Sequence, residues 1–249
     1  RGWIKGVKEV KPTWGIRRVH AWLRKEGGFN IGRKKTRRIL KEENLLCPRI
    51  KKRTTRRTKL RLQAQQPNQL WATDMTQFML TTGQKLFLVV VLDVFLRRIV
   101  GYHLSFRCRA REWLIALDQA VQQEFPEGSR GLNLTLRMDN GCQPTSRAYQ
   151  NALDILGISG EWTGYNCPEQ NSHVERVIGT LKMDWLWIHE CDTFDEAQAL
   201  VDRAVSEYNQ EHPHSSLNFL SPDEFRRAYQ KGWVTINPDA EIEITPKAA

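Results

Sequence analysis

A chain of 249 residues that is 40% hydrophobic can hold one large core, or one core and a small satellite domain. Its longest apolar run, Leu86 to Leu92, stops at Asp93 and is far too short to be a membrane span, and its five scattered cysteines contain no C-x-x-C pair, which argues against a disulfide framework or a zinc module. The net charge of +10 hides a division: residues 1–66 carry 22 Lys and Arg against 4 Asp and Glu, while the remainder carries 16 against 24, so the first quarter of the chain is the expected polyanion-binding part.

In chain order, residues 1–46 read as a small helical domain. Ile16, Val19, Trp22 and Leu23 form one apolar stripe from Trp14 to Arg24, which Gly27 and Gly28 end. A second helix from Arg33 to Glu43 turns Ile39 and Leu40 inward and Arg33, Lys34, Lys35, Arg37 and Arg38 outward. Two short helices with a turn between them, the second strongly basic, suit a DNA-binding helix-turn-helix. Residues 47–66 lack apolar periodicity. They read as a basic linker or arm in which Lys51, Lys52, Arg53, Arg56 and Arg57 would displace counterions from DNA phosphates.

From residue 67 the texture becomes apolar and β-rich, and the expected core runs to 230. Strands are predicted over 70–80, 85–95 and 97–105, the first three forming a meander. A helix over 111–124, a strand over 132–138, a helix over 146–156 and a strand over 158–162 follow. The next helix opens at Pro168, whose missing N–H costs nothing in a first turn. Helices over 194–209 and 222–229 precede a tail, 231–249, whose acidic stretch Asp239 to Glu243 is expected to carry little structure. This order predicts an α/β fold, a mixed five-stranded sheet flanked by helices.

Three acids stand out against that frame. Asp74 sits in the middle of the first strand, on the face opposite Thr73 and Met75, where a carboxylate is costly unless something cationic binds it. Asp139 ends the fourth strand, a usual place for ligand chemistry in open α/β sheets. Glu175 lies on the helix that opens at Pro168, on a face that also carries Asn171, Ile178 and Lys182. Between Asp139 and Glu175 lie 35 residues, and Lys182 follows Glu175 by seven.

That order and spacing resembles the D, D(35)E signature of polynucleotidyl transferases with an RNase H-like fold, the group of retroviral integrases and many transposases. The segments WATDMTQF, LDVFLRRIVGYHLS, MDNG, CPEQNSHVERVIGTLK and YNQEHPHSSLNFLSPDEF, with Trp14 to Leu46 ahead of them, are similar to the second-frame product of bacterial transposases of the insertion-sequence-three family. The helix departs from the commonest pattern by having Gln170-Asn171-Ser172-His173 before the acid.

The resemblance implies a DNA transposase that cleaves element ends and transfers the 3′-hydroxyl to a target phosphodiester. Asp74, Asp139 and Glu175 would be both catalytic residues and ligands of two Mg²⁺ or Mn²⁺ ions, with Asp74 bridging. Lys182 and Arg176 would contact DNA phosphates, and Asn140 and Asn171 would steer DNA or water. The partners implied are double-stranded DNA and at least one further copy of the chain, in a bacterial cytoplasm and at the nucleoid. Two alternatives stay open at this point, a plain RNase H-like nuclease and a catalytically inactive DNA-binding relic. Asp93 is expected to be structural, Cys142, Cys167 and His173 not to form a zinc site, and His212 and His214 to pack or touch DNA. The start at Arg1, without a Met, is compatible with a longer protein.

Overall fold

The computed structural model describes residues 1–48, 64–164, 171–236 and 242–244. Three helices open the chain: α1 (Gly2–Val10), α2 (Ile16–Lys25) and α3 (Arg33–Glu42). Their apolar stripes meet in one small core of Ile4, Val7, Trp14, Val19, Leu23, Ile39 and Leu40. The sequence pattern includes these residues in the domain but places its first helix at Trp14 and passes over α1, because two glycines dilute the helical propensity of this short segment. A buried lysine completes the packing. Lys8 bonds the carbonyls of Pro12 and Trp14, the latter at 3.1 Å, and so holds the α1–α2 turn.

The larger unit contains β1 (Leu70–Met79), β2 (Lys85–Asp93), β3 (Arg98–Ser105), α4 (Ala110–Glu124), β4 (Thr135–Met138), α5 (Arg147–Leu156), β5 (Ser159–Trp162) and α6 (Ser172–Leu181). Helix α6 runs into a π-helical turn, Lys182–Leu186, and is followed by α7 (Phe194–Glu211), a 3-10 turn at Ser215–Leu217, α8 (Pro222–Gln230), β6 (Val234–Ile236) and β7 (Ile242–Ile244). The five-stranded sheet has the order β3-β2-β1-β4-β5, the first three strands antiparallel and β1, β4 and β5 parallel. The predicted meander and mixed sheet are therefore present.

Strand alternation divides the core into two layers. Leu70, Ala72, Leu88, Val90 and Ile99 face α6 and α7, while Trp71, Val89, Val91 and Val100 face α4 and α5. The helices carry the start signals their sequences suggest. Ser146 and Thr193 accept from the amides three residues on, and Ser221 with Glu224 forms a capping box around Pro222.

Three boundaries differ from the sequence pattern. β2 ends at Asp93 and not at Phe95, because the Asp93 carboxylate accepts from the amides of Leu96 and Asn68 and folds the next residues into a turn. β4 keeps only four residues of the predicted seven, since Asn133 takes a positive φ of 54° and Leu132 stays exposed. The tail is not featureless: Ile242–Ile244 pairs antiparallel with Val234–Ile236, the alternation of Ile with polar residues outweighing the acidic composition. Among the described residues no helix is long and apolar enough to cross a membrane.

Candidate active site

The site is set by the parallel pairing of β1 with β4. Leu70, Trp71 and Ala72 pair with Thr135, Leu136 and Arg137, and continuing that register by two residues brings Asp74 level with Asp139. Asp74 projects toward the layer that holds α6, on the face opposite Met75. Helix α6 lies over this layer through Val174, Val177, Ile178 and Leu181, with Glu175 in its first turn on the outer side. Asn171 fastens its start. The Asn171 side-chain amide donates to the Thr73 carbonyl at 3.4 Å, one residue from Asp74.

The electrostatics report the convergence. Burial pushes the Asp74 carboxyl up to about 6, and the charges of Asp139 and Glu175 add to the rise while Lys182 opposes it. Burial also raises Glu175. One oxygen of Asp74 accepts from the Met75 amide at 2.8 Å, and one of Asp139 from the Gly141 amide at 3.0 Å. Among the described residues, the second oxygen of each has no hydrogen-bond donor. Carboxylate oxygens are hard ligands and suit a divalent cation such as Mg²⁺ or Mn²⁺. Among the described residues no three of His, Cys, Asp and Glu stand close enough to grip one ion, so the acids converge without closing.

The other predicted positions fall into distinct surroundings. Lys182 starts the π-helical turn with its ammonium 5.8 Å from the Trp187 ring. Arg176 is exposed beside Glu175. Asn140 is exposed and donates to the Thr163 carbonyl at 2.7 Å, tying the end of β4 to the loop after β5. Asn171 is only 5% exposed, so it offers no surface to DNA. Arg33, Lys34, Lys35, Arg37 and Arg38 are all exposed on α3, whose Thr36, Ile39 and Leu40 are buried. Lys51, Lys52, Arg53, Arg56 and Arg57, and the helix start at Pro168, lie outside the described residues. Asp93 is fully buried and structural, and His212, 1% exposed, stacks on Tyr208.

Sequence reasoning missed the contacts that join the two units. Asp184, 3% exposed at its side chain, accepts from the Thr13 hydroxyl and faces Arg18 at 3.8 Å. Lys11 pairs with Glu207 and lies 4.9 Å over the Trp185 ring, and Lys25 pairs with Glu224 at 2.5 Å. Nothing in the spacing of these residues marks them as partners. An acid at a helix position that packing buries, such as Asp184, is the one signal that points to them.

Comparison with known proteins agrees with the geometry. Residues 64–165 and 156–222 match two family models of the integrase core domain, and residues 3–53 match that of an HTH-like domain. The transposase of insertion sequence element IS904 from Lactococcus lactis is 32% identical over 162 residues, 65% of this chain and 62% of its own. The chain belongs to the insertion-sequence transposases with an integrase core. Transposase InsD of insertion element IS2 from Escherichia coli is 27% identical over 224 residues, covering 87% of this transposase and 74% of InsD. A protein of insertion element IS407 from Burkholderia multivorans is 29% identical over 218 residues, 86% of this chain and 76% of its own. Among solved structures, the simian T-cell lymphotropic virus intasome shares the fold at a TM-score of 0.55 and 17% identity, covering 90% of this transposase and 73% of the viral chain. The catalytic core of BIV integrase does so at 0.50 and 20%, covering 67% and 99%. The protein is thus a DNA transposase with an RNase H-like core and a DNA-binding helical domain.

Proposed function

We propose that this transposase cuts DNA at the ends of its element and joins the freed 3′-hydroxyl to a target phosphodiester, with Asp74, Asp139 and Glu175 as the catalytic carboxylates. The observation that carries the assignment is the field at Asp74, which feels both other acids and the Lys182 ammonium. These carboxylates would hold divalent cations, Mg²⁺ or Mn²⁺. When bound, such ions lower the pKa of the attacking water or hydroxyl and stabilise the leaving oxygen. The chain's own residues do the positioning. Asn171 holds α6 to β1, the Asn140 bond to Thr163 fixes the turn after Asp139, and Lys182 places a cation where the phosphate of the cut strand would lie.

The exposed basic face of α3 would hold the element end, and the basic segment with Lys51, Lys52, Arg53, Arg56 and Arg57 would follow the backbone between the two units. Two ends must be joined in one event, so at least two copies of the chain would act together on DNA, in the bacterial cytoplasm. The test is a strand-transfer assay with a duplex carrying the element end, Mg²⁺ and a plasmid target. Joined products from the native chain, and none from Asp74→Asn, Asp139→Asn or Glu175→Gln at unchanged DNA affinity, are expected. Nicked products with no joined ones would leave a nuclease only.

A further inference from the structure

A cleft of about 410 Å³ lies between the helical domain and the core, bounded by Gly15 at the start of α2, Arg17 and Arg18 in its first turn, Arg97 of the β2–β3 turn, Arg176 of α6 and His214 before the 3-10 turn. From this cleft we infer a binding site for a backbone phosphate of DNA, formed jointly by the two units and separate from the three acids. The inference rests on the transposase reading for the source of the phosphate. Its chemistry stands on the cleft alone.

Four observations carry it. First, α2 starts at Gly15 with no side-chain cap, and its first turn has no acidic residue but Arg17 and Arg18. Two cations at the positive end of a helix are unfavourable unless an anion sits with them. Second, Arg97 and Arg176 reach the same space from the core, while among the described residues the carboxylate paired with Arg18 is Asp184, at 3.8 Å and behind it. Burial works against the Arg18 charge, and Asp184 answers only part of it. Third, Nε2 of His214 is buried in the cleft wall with no hydrogen-bond partner among the described residues. Burial and the charges of Arg18, Arg97 and Arg176 push His214 down to about 3, so the ring is neutral and one nitrogen can donate an N–H to an oxyanion. Fourth, Ser215 and Ser216 add hydroxyls at the exposed rim.

The placement gives the site a task. His173, Arg176 and Thr180 line the cleft from one face of α6, whose midline lies about 130° around the helix from Glu175. A strand whose phosphate lies here would pass from the helical domain to the acids, and its charge would draw Arg17 and Arg18 toward Arg97 and Arg176. Binding would then lock the two units together.

The test uses the full chain in EDTA, where no strand is cut. In the first arm, thermal melts are compared in inorganic phosphate and in potassium chloride at equal ionic strength. Phosphate should raise Tm for the native chain and not for the Arg17→Gln/Arg176→Gln variant, whose Tm in chloride reports whether it folds. In the second arm, binding of a labelled duplex is titrated against salt. The variant should bind roughly tenfold more weakly for each arginine replaced, with a log K against log salt slope shallower by about one in total, since both arginines serve one phosphate. Equal phosphate effects in both proteins overturn the site. A phosphate effect with an unchanged DNA slope overturns the backbone assignment and gives the cleft to a free phosphate. His214→Gln, which keeps an N–H donor, should retain the phosphate effect, and His214→Leu should lose it. Neither arm reads catalysis, so a failure here leaves the strand-transfer proposal standing, and the reverse also holds.

Discussion

At the scale of single residues, Asp74 and Asp93 make an instructive pair, since both are acids in buried strands and burial pushes both up to about 6. In each case the native protein binds the proton more tightly than the unfolded chain does. The associated stability is full below about pH 4, the unfolded pKa, and is lost as pH rises through 6. Their surroundings differ. Asp93 uses both oxygens to accept backbone amides, from Leu96 at 2.8 Å and Asn68 at 2.7 Å, whereas Asp74 accepts one bond and faces two like charges. Asp74→Asn is therefore expected to stabilise the metal-free protein at pH 7.5 by about 1–3 kcal/mol, with the gain shrinking toward pH 4.5. Asp93→Asn should instead cost about 1–3 kcal/mol, because one acceptor oxygen is lost in a buried turn. Chemical denaturation in EDTA at the two pH values checks both, and a destabilised Asp74→Asn would show that this acid is a structural group like Asp93.

At the scale of elements, close approach explains what composition does not show. β3 carries an extra residue opposite β2: Val91 pairs with Gly101 and Leu92 with Ile99, which leaves Val100 in a bulge turned toward α4. At Gly101 an added Cβ would meet the Ala116 carbonyl oxygen at 2.3 Å and the Ala120 backbone nitrogen at 2.9 Å. These are backbone atoms of α4 and cannot swing aside. Gly101→Ala should accordingly cost about 1–3 kcal/mol in urea unfolding, and retention of full stability would mean that α4 rides more loosely on the sheet.

The sequence shows β1, β2 and β3 clearly because they are apolar runs rich in β-branched and aromatic residues, and it singles out Asp74, Asp139 and Glu175 by order and spacing. It hides the late start of β4, the bulge at Val100 and α1, since each is fixed by packing against another element rather than by its own pattern. The burial of Asn171 is hidden for the same reason: helical spacing puts it on the Glu175 face, but only the packing of α6 on β1 reveals which way that face looks at its first turn.

The π-helical turn after α6 joins this local order to the docking of the helical domain. Its five residues, Lys182–Leu186, combine an ammonium near the acids with Asp184, which is buried against Thr13 and Arg18. Burial raises Asp184, while the Thr13 hydroxyl, Arg18 and Lys11 favour its charged form. Asp184→Ala would leave Arg18 without its carboxylate and should cost about 2–4 kcal/mol. Because Asp184 bridges the two units, limited proteolysis should cut between residues 48 and 64 faster in the variant. Equal cutting rates would show that Asp184 does not hold the two units together.

At the scale of the whole molecule, charge is distributed by task. The first 66 residues hold most of the excess of cations, whereas the rest of the chain is net acidic. On the proposed function, attraction of DNA would be the work of the N-terminal part, which would bring a polyanion toward a core of like charge. Arg33, Lys34, Lys35, Arg37 and Arg38 of α3 are exposed, and none of their side chains is needed for the core of Thr36, Ile39 and Leu40. Replacing Arg33, Lys34, Lys35, Arg37 and Arg38 with Ala should leave Tm within a few degrees, since Ala is a good helix former. Affinity for end DNA should fall, and the slope of log K against log salt should become shallower by about 0.9 for each phosphate that is no longer neutralised. If α3 reads the bases of the element end, affinity for that end should fall more than affinity for a random duplex of equal length. Equal losses on both duplexes would reduce α3 to a backbone clamp and move recognition of the end to another part of the chain.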